Sequence, residues 1–308
     1  PATRQWLERI AGRALDEPGL IEGEPGQRPL AQQTAMLRHS RRFGADSGIG
    51  QLARLVNRQE AAEARRLLGQ PRPNLHCLRG GKDALAGLIT RGVEGAEGYA
   101  HYLRELQAGR PLDMDPLDAP SWREWAAGVL KAFDRFRLLC ALRRGDWGVE
   151  GLNLRVEQEL QRQGLIDPAH EWYEGRPVLV TRNDYGLGLM NGDIGIALML
   201  PGNDGAPLLR VAFPRNDGSG GVRFVLPSRL TAVETVYAMT VHKSQGSEFE
   251  HTALVLPDAL NPVLTKELLY PAITRARAHF TLVEPRAGVF EAAVTRRVRR
   301  VSGLGMAL

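Results

Sequence analysis

The 308-residue chain is long enough for two domains, and its composition, 43% hydrophobic and 24% charged, is that of an ordinary globular protein. No apolar run approaches the roughly 20 residues that cross a bilayer, and the N-terminal PATRQWLERI lacks the apolar core of a signal peptide, so the sequence predicts a cytoplasmic protein without membrane contact. The net charge of +5 is compatible with a polyanionic partner but does not establish one.

The first half of the chain alternates helical patterns with loops. Residues 1–35 predict an N-terminal helix, ATRQWLERIAGRAL, and a connector rich in Gly and Pro. A short basic stretch, a turn over residues 44–50 and a helix follow, and Asp46 and Ser47 are candidate caps for that helix. Residues 82–140 are mostly helical, with a break at PLDMDPLDAP. The segment FRLLCALRRGDWGVEGLNLRVEQEL then predicts a strand, a loop and a helix, which is typical of an α/β unit.

The pattern changes over residues 172–233, where short β-rich runs are separated by Asn-Gly, Asn-Asp-Gly and Gly-Ser-Gly-Gly. This punctuation is typical of tight hairpins and predicts a small β-barrel of four or five strands. Buried strands resume in TVYAMTVHKSQG, HTALVLP and RAHFTLVEP. The predicted fold class is therefore α/β, with the barrel inserted into one domain made of residues 36–171 and 234–308. The basic stretch at 293–302 is either a nucleic-acid contact or a solvated helix.

Polar side chains crowd into TVHKSQGSEF, where a buried strand is predicted to end and where open α/β sheets collect ligands. Nucleophilic catalysis is disfavoured, because His242 and Ser244 are two residues apart, no G-x-S-x-G surrounds the serine and no acidic residue orients the histidine. The seven histidines show no paired ligand spacing, and Cys77 and Cys140 form no CxxC, so we expect no metal site and two reduced thiols. The stretch alone leaves open a ligand-binding corner or an ordinary polar loop.

A family resemblance favours the ligand-binding corner. TVHKSQGSEF followed by YPAITRAR resembles motifs V and VI of superfamily 1 helicases, and LRHSRRFGADSGIGQLARLVN resembles their motif IV in the form found in RecD, the α subunit of exodeoxyribonuclease V. CALRRGDWGVEGLN and WYEGRPVLVTRNDYGLGLMNGDIGIAL also resemble RecD, so the likeness covers the chain from Leu37 onward. The resemblance implies a RecA-like motor domain (2A) with an inserted SH3-like β-barrel (2B). It further implies a 5′–3′ DNA helicase of a RecBCD-type repair complex, acting on single-stranded DNA with RecB-like and RecC-like subunits.

The resemblance also assigns nucleotide-binding residues. Such helicases hold ATP and Mg²⁺ between two RecA-like domains, and the second domain supplies arginines that stabilise charge on the γ-phosphate. Arg275, in AITRAR, is implied to be this arginine finger, and Arg42, in SRRF, is implied to reach phosphate as well. The other implied nucleotide contacts are Gln245, Gly246, Glu248 and Arg277. Arg41 and Arg277 are alternatively surface or helix-capping charges.

A second set of residues is implied to contact single-stranded DNA, through hydroxyl, amide, imidazole and aromatic groups. These residues are Thr240, His242, Lys243, Ser244, Asn183, Tyr185 and Asn191. Lys243 and Ser244 could instead face the nucleotide. For Tyr185 the alternative is a place in the core of the barrel, and Asn191 with Gly192 is also a simple turn signal.

The sequence contains no P-loop of the form G-x-x-x-x-G-K-[ST], and the nearest segment, RGGKDA, has Asp83 after Lys82 and lacks the earlier glycine. In the family, motifs I to III precede motif IV. We therefore expect the chain to hold half of an ATP site, to bind no cofactor by itself and to be inactive alone. The rival interpretation is a non-catalytic nucleic-acid-binding or assembly module with a helicase-like fold.

Overall fold

A computed structural model describes residues 2–12, 43–44, 47–111, 120–202, 206–215 and 220–298 of the chain. The chain divides into two units, of which one combines Pro1–Arg42 with Arg299–Leu308 and the other is Phe43–Val298. Helix α1 (Ala2–Ala11) is the described part of the first unit. Within the described ranges, no helix has the length and apolar character needed to cross a bilayer.

The second unit holds the remaining helices and all the described strands. Its helices are α2 (Gly48–Asn57), α3 (Ala61–Leu68), α4 (Gly81–Arg91), α5 (Ala100–Ala108), α6 (Pro120–Asp134), α7 (Val149–Arg162), α8 (Lys266–Thr274) and α9 (Val289–Thr295). Its strands are β1 (Leu75–Arg79), β2 (Phe136–Cys140), β3 (Pro177–Val180), β4 (Ile194–Pro201), β5 (Pro207–Pro214), β6 (Val222–Val225), β7 (Val233–Thr235), β8 (Ala238–Thr240), β9 (Phe249–Val255) and β10 (Ala276–Glu284).

Five strands form a parallel sheet in the order β1-β10-β9-β2-β8. Its central strands are buried on both faces, as the apolar runs FRLLC and HTALV require. Helices α4, α5, α6 and α7 pack on one face through a core that contains Leu138 and Ala253. Helices α2, α3, α8 and α9 cover the other face around Leu139 and Leu254. The predicted α/β class is therefore confirmed.

A second, antiparallel sheet is inserted in the chain between β2 and β8, with the order β6-β5-β4-β3-β7. One face, carrying Ile196 and Ala212, shares the core of α6, and the other carries a separate small core around Val211 and Phe213. The sheet reaches Thr235, two residues beyond the predicted end of the insertion at 233. Strands β6 and β7 stand at its two ends, and the more specific SH3-like barrel stays a prediction.

Local sequence signals located most of these elements, with two corrections. Ser47 caps α2 as predicted, because its hydroxyl accepts a hydrogen bond from Gly50 N at 3.3 Å, while Asp46 lies outside the described residues. The turn predicted over residues 44–50 is wrong in its second part, since Gly48 and Gly50 belong to the helix. A Cβ on Gly50 would lie 2.6 Å from Phe43 Cβ, so this glycine permits close packing rather than a turn. Strand β1 was not predicted, because LHCLR is only partly buried at the sheet edge and lacks β-branched residues.

Candidate functional site

The polar segment after β8 connects the side of the parallel sheet where its strands end to the side where its strands begin. We call the first side the carboxyl edge and the second side the amino edge. Thr240 ends β8 and Val255 ends β9, and both align with Cys140 of β2 at the carboxyl edge. Phe249 begins β9 six residues before Val255, which is about 20 Å away at ~3.3 Å per residue. Residues 241–248 therefore join the two edges, and the predicted site residues fall into two groups.

The carboxyl-edge group contains Thr240, His242 and Lys243. The Thr240 hydroxyl is half-buried and accepts a hydrogen bond from Lys243 N at 3.3 Å, which shapes the first part of the turn. His242 is exposed. The Lys243 ammonium donates to Glu234 Oε1 at 2.6 Å, so β7 of the antiparallel sheet contacts the turn directly. This group presents a hydroxyl, an imidazole and a cation at the end of β8, the outermost strand of the sheet.

Ser244 has a different position from its neighbours. Its side chain is fully buried, and its hydroxyl donates to Val241 O at 2.8 Å while its backbone N–H donates to Thr240 O at 3.3 Å. The hydroxyl that was expected to serve DNA or nucleotide is thus used inside the turn and is not accessible to either ligand in this conformation. Its structural role here is to hold the turn against β8.

The amino-edge group contains Glu248, Arg275 and Arg277, and the predicted nucleotide residues Gln245 and Gly246 precede it in the turn that follows β8. Gly246 has φ +89°, the left-handed region that favours glycine, and it turns the chain toward β9. Gln245 and Glu248 are exposed. A carboxylate and two arginines therefore lie where β9 and β10 begin side by side, while Gln245 N donates to His242 O at 3.3 Å within the turn.

The two arginines of this group have different surroundings. Arg275 caps the C-terminus of α8, is half-buried, and donates from Nη1 to Ser247 O at 2.8 Å and from Nε to Pro271 O at 3.4 Å. Its carbonyl accepts from Phe249 N at 3.0 Å, so the segments resembling motifs V and VI are bonded to each other. Arg277 is exposed and pairs with Glu248 at 3.3 Å, a solvent-facing contact that adds little stability.

A buried histidine lies just inside the amino edge. His251 of β9 is 2% exposed, its Nε2 lies 2.8 Å from Thr281 Oγ1 and its Nδ1 lies 3.5 Å from Glu97 O. Burial lowers the pKa of His251 to about 3. Next to it, the hydrogen bond from Arg135 lowers the pKa of Glu250, whose carboxylate accepts from Arg135 Nε at 2.9 Å. This histidine is therefore neutral at physiological pH. It provides hydrogen bonds within the sheet and contributes no charge to the site.

Three predicted DNA residues lie in the loop between β3 and β4. Asn183 Nδ2 donates to the Tyr185 hydroxyl at 3.2 Å, and Asn183 Oδ1 accepts from Asn191 N at 2.8 Å, so one asparagine links all three. Tyr185 is 77% exposed. The alternative that placed Tyr185 in the core is therefore wrong. The structure brings these residues together as a separate group on the antiparallel sheet.

The remaining predictions concern the arginines of the motif IV segment, a metal site and the two cysteines. Arg42 and Arg41 lie outside the described residues. Among the described residues, no three His, Cys, Asp or Glu side chains are placed to share a metal ion. Cys140 is buried and Cys77 is half-buried, and both are free thiols.

Two further polar residues beside β7 and β8 escaped sequence reasoning. Asn153 of α7 donates from Nδ2 to Thr235 O at 2.9 Å and accepts from Ala238 N at 2.8 Å, so it clamps the end of β7 to the start of β8. Glu234 bonds both Lys243 and Arg143. No local pattern marks these residues, because their partners are brought together by segments far apart in the sequence.

Comparisons with known proteins identify the family. Residues 235–283, which include the segment that joins the two edges and Arg275, match the family model described as UvrD-like helicase C-terminal domain. The chain is 35% identical over 294 residues to the RecBCD enzyme subunit RecD of Haemophilus influenzae, covering 94% of this chain and 43% of that protein. It is 44% identical over 180 residues to the RecBCD enzyme subunit RecD of Mycobacterium tuberculosis, covering 58% of this chain and 30% of that protein.

A further relative is the ATP-dependent RecD2 DNA helicase of Deinococcus radiodurans, 32% identical over 152 residues, with 47% of this chain and 19% of that protein covered. The chain thus spans less than half the length of each of these three relatives. The shared region corresponds to the C-terminal part of RecD. On these matches, the chain belongs to the RecD family and contains its UvrD-like helicase C-terminal domain.

Proposed function

We propose that this chain is the second motor domain of an ATP-dependent 5′–3′ DNA helicase, a RecD subunit of a RecBCD-type exonuclease V acting in double-strand break repair and recombination. The parallel sheet with its helices would be the RecA-like 2A domain and the antiparallel sheet the SH3-like 2B domain. The names of the relatives, RecBCD enzyme subunit RecD and RecD2 DNA helicase, support this proposal, and they make RecB-like and RecC-like subunits the expected partners.

The observation that carries the proposal is the bond between Arg275 and the carbonyl of Ser247. It ties an arginine to the turn that also carries Gln245 and Glu248, and it holds the guanidinium partly exposed at the amino edge. A guanidinium supplied by a second domain can stabilise charge that develops on a transferring phosphoryl group. In the proposed enzyme Arg275 would therefore act on the γ-phosphate, with Gln245, Gly246, Glu248 and Arg277 nearby and Arg42 as a second phosphate contact.

The residues present fit one half of a nucleotide site. The amino edge offers cations and hydrogen-bonding groups. The 308 residues contain no P-loop, however, and so neither its lysine nor the following Ser or Thr hydroxyl that holds Mg²⁺. We accordingly propose that ATP and Mg²⁺ are held between this domain and a P-loop domain of the whole enzyme. This chain alone would bind nucleotide weakly and would not hydrolyse it.

The DNA strand would pass the opposite end of the same turn. At the carboxyl edge Thr240, His242 and Lys243 offer a hydroxyl, an imidazole and a cation to backbone phosphates. Exposed Tyr185, with Asn183 and Asn191 beside it, would provide a stacking surface for a base. The turn from Thr240 to Glu248 would then contact the strand at one end and the nucleotide at the other.

Two substitutions test this division of the turn in the whole enzyme. We expect His242→Ala to weaken binding to single-stranded DNA and to preserve basal ATPase activity, because it changes the carboxyl edge alone. We expect Gln245→Ala to preserve DNA affinity measured without nucleotide and to impair the stimulation of ATPase activity by DNA. Fluorescence anisotropy and ATPase rates measure the two effects, and thermal melts show whether the variants are folded.

The rival interpretations predict other results. In an ordinary polar loop, both substitutions would lower the melting temperature and would change binding and turnover in proportion to lost folded protein. In a non-catalytic module, Gln245→Ala would leave every measured property unchanged. If folded His242→Ala binds DNA like the parent, the assignment of His242 to the DNA strand is wrong.

A further inference from the structure

One carboxylate at the carboxyl edge holds two cations from different segments. Glu234 Oε1 accepts from Lys243 Nζ at 2.6 Å, and Glu234 Oε2 accepts from Arg143 Nη2 at 3.2 Å. Arg143 follows β2 and Lys243 follows β8, two neighbouring parallel strands whose last residues are paired. The side chains of Arg143, Lys243 and Glu234 are 62%, 32% and 30% exposed, so solvent reaches all three.

The backbone that carries Arg143 is fixed by the start of α7. Arg143 O accepts from Glu150 N at 3.1 Å, and Leu142 O accepts from Val149 N at 3.0 Å. The loop is also packed closely, since a Cβ on Gly148 would lie 2.3 Å from Arg144 O. Arg143 is therefore presented from a constrained loop, which reduces the entropy lost when its side chain binds a ligand.

We propose that Arg143 and Lys243 form a phosphate-binding pair for the backbone of single-stranded DNA, and that Glu234 occupies the position of that phosphate while DNA is absent. This inference rests on the proposed function, because it places the strand at the carboxyl edge beside Thr240 and His242. It adds Arg143 to the proposed DNA-contacting residues. It also makes Glu234 a competitor of the DNA phosphate for Arg143 and Lys243.

The chemistry of the pair suits this exchange. A phosphate group, like the carboxylate of Glu234, offers two oxygens to two N–H donors that converge on one point. Because the two ion pairs are partly exposed, breaking them costs little. A DNA strand gains in addition from the release of condensed counterions, which a single small anion does not provide.

The test is binding of a fluorescently labelled 20-nucleotide oligothymidine to the purified 308-residue chain, measured by anisotropy at several salt concentrations. We expect Glu234→Gln to tighten binding about two- to fivefold. In the parent, DNA must break the ion pairs of Glu234 with Arg143 and Lys243, and in the variant these ion pairs are absent. We expect Arg143→Ala to weaken binding about fivefold and to reduce the salt slope by about 0.7, the value for one phosphate contact on a single strand. In the double variant the gain from Glu234→Gln should be smaller, because Glu234 then competes with DNA for Lys243 alone.

A matched control is available on α3, where Arg66 Nε pairs with Glu63 Oε2 at 3.0 Å. Glu63→Gln and Arg66→Ala make the same changes in net charge and should alter affinity less than twofold. Thermal melts accompany every variant. Arg143→Gln replaces Arg143→Ala if the alanine variant melts early.

Several outcomes would overturn the inference. Weaker or unchanged binding by Glu234→Gln would show that Glu234 does not compete with DNA, and an equal gain in Glu63→Gln would reduce the effect to net charge. A gain of the same size in the double variant as in Glu234→Gln alone would show that Arg143 does not bind the phosphate. If Arg143→Ala binds the strand like the parent while inorganic phosphate raises the melting temperature of the parent alone, the pair is a site for free phosphate and not for the strand. Unchanged binding by His242→Ala, with the Arg143 and Glu234 effects as expected, would instead refute the role of His242 alone.

Discussion

The buried histidine of β9 gives the chain a defined sensitivity to acid. His251 has a pKa of about 3 in the folded state, against 6.5 for the unperturbed side chain. Between these values the unfolded chain binds a proton that the folded chain does not, so stability must fall as the pH falls below about 6.5. Two-state linkage with these values gives a loss of about 2 kcal/mol between pH 7 and pH 5, and about 5 kcal/mol below pH 3.

The window from pH 7 to pH 5 separates this effect from the titration of carboxylates. Arg135 lowers the pKa of Glu250 and Arg65 lowers that of Glu291, each from 4.5, so the stability they provide is lost only as the pH falls through and below that value. His76, whose pKa is lowered chiefly by burial, acts in the same direction as His251. The comparison must therefore be made between the parent and a variant that lacks His251.

The variant is His251→Gln, which keeps a neutral hydrogen-bonding group near Thr281. We expect the melting temperature of the parent to fall more than that of His251→Gln between pH 7 and pH 5, by about 4–8 °C at ~2–4 °C per kcal/mol. Differential scanning calorimetry at each pH measures the difference. His170→Gln, which removes an exposed histidine, should behave like the parent. Equal losses in the parent and in His251→Gln would refute the argument from burial.

The remaining predictions concern function and the contact between the two sheets. In the whole enzyme, Arg275→Ala should lower the rate of ATP turnover by a factor of roughly 10³–10⁵ with ATP binding largely kept, and Arg277→Ala should lower that rate less. Equal losses would mean that the arginine finger is misassigned or that both arginines act together. The purified chain should show no DNA-stimulated ATPase activity, and turnover above background would contradict the half-site proposal. Tyr185→Ala should weaken single-strand binding by about 1–3 kcal/mol while Tyr185→Phe should not, as anisotropy can show. Asn153→Ala should lower stability by about 1–3 kcal/mol through two lost hydrogen bonds, measured by urea unfolding, and a smaller loss would mean that the clamp is not needed.

Periodicity and turn signals predicted much of the fold. The buried runs of β2 and β9, the hairpin punctuation after residue 172 and the cap at Ser47 each depend on a few neighbouring residues, so the sequence displays them directly. The partial burial of β1 depends on its pairing with β10, far along the chain, and the close packing at Gly50 depends on how the chain places Phe43 against α2. Sequence reasoning therefore missed that strand and misread this glycine as part of a turn.

The candidate site shows the same limit. The polar residues from Thr240 to Glu248 stand out in the sequence, but their division between two edges of the sheet depends on strand register, which no local pattern gives. The burial of Ser244 also could not be foreseen, because a serine in a polar turn has no sequence feature that points it inward. Glu234, Arg143 and Asn153 were missed for a related reason, since each acts on a segment brought near by the inserted sheet.

The two ends of the turn depend on different parts of the fold. The chain returns from β7 to β8 through Val236 and Tyr237, where Val236 N donates to Pro177 O at 3.1 Å and Val236 O accepts from Arg137 at 3.2 Å. Together with the Asn153 clamp, these bonds tie the carboxyl-edge group to the inserted sheet. The amino-edge group is instead held by α8 and β10 through Arg275. A displacement of the inserted sheet would therefore act first on the proposed DNA contacts, and it would reach Arg275 through the eight residues 241–248 that join the two edges.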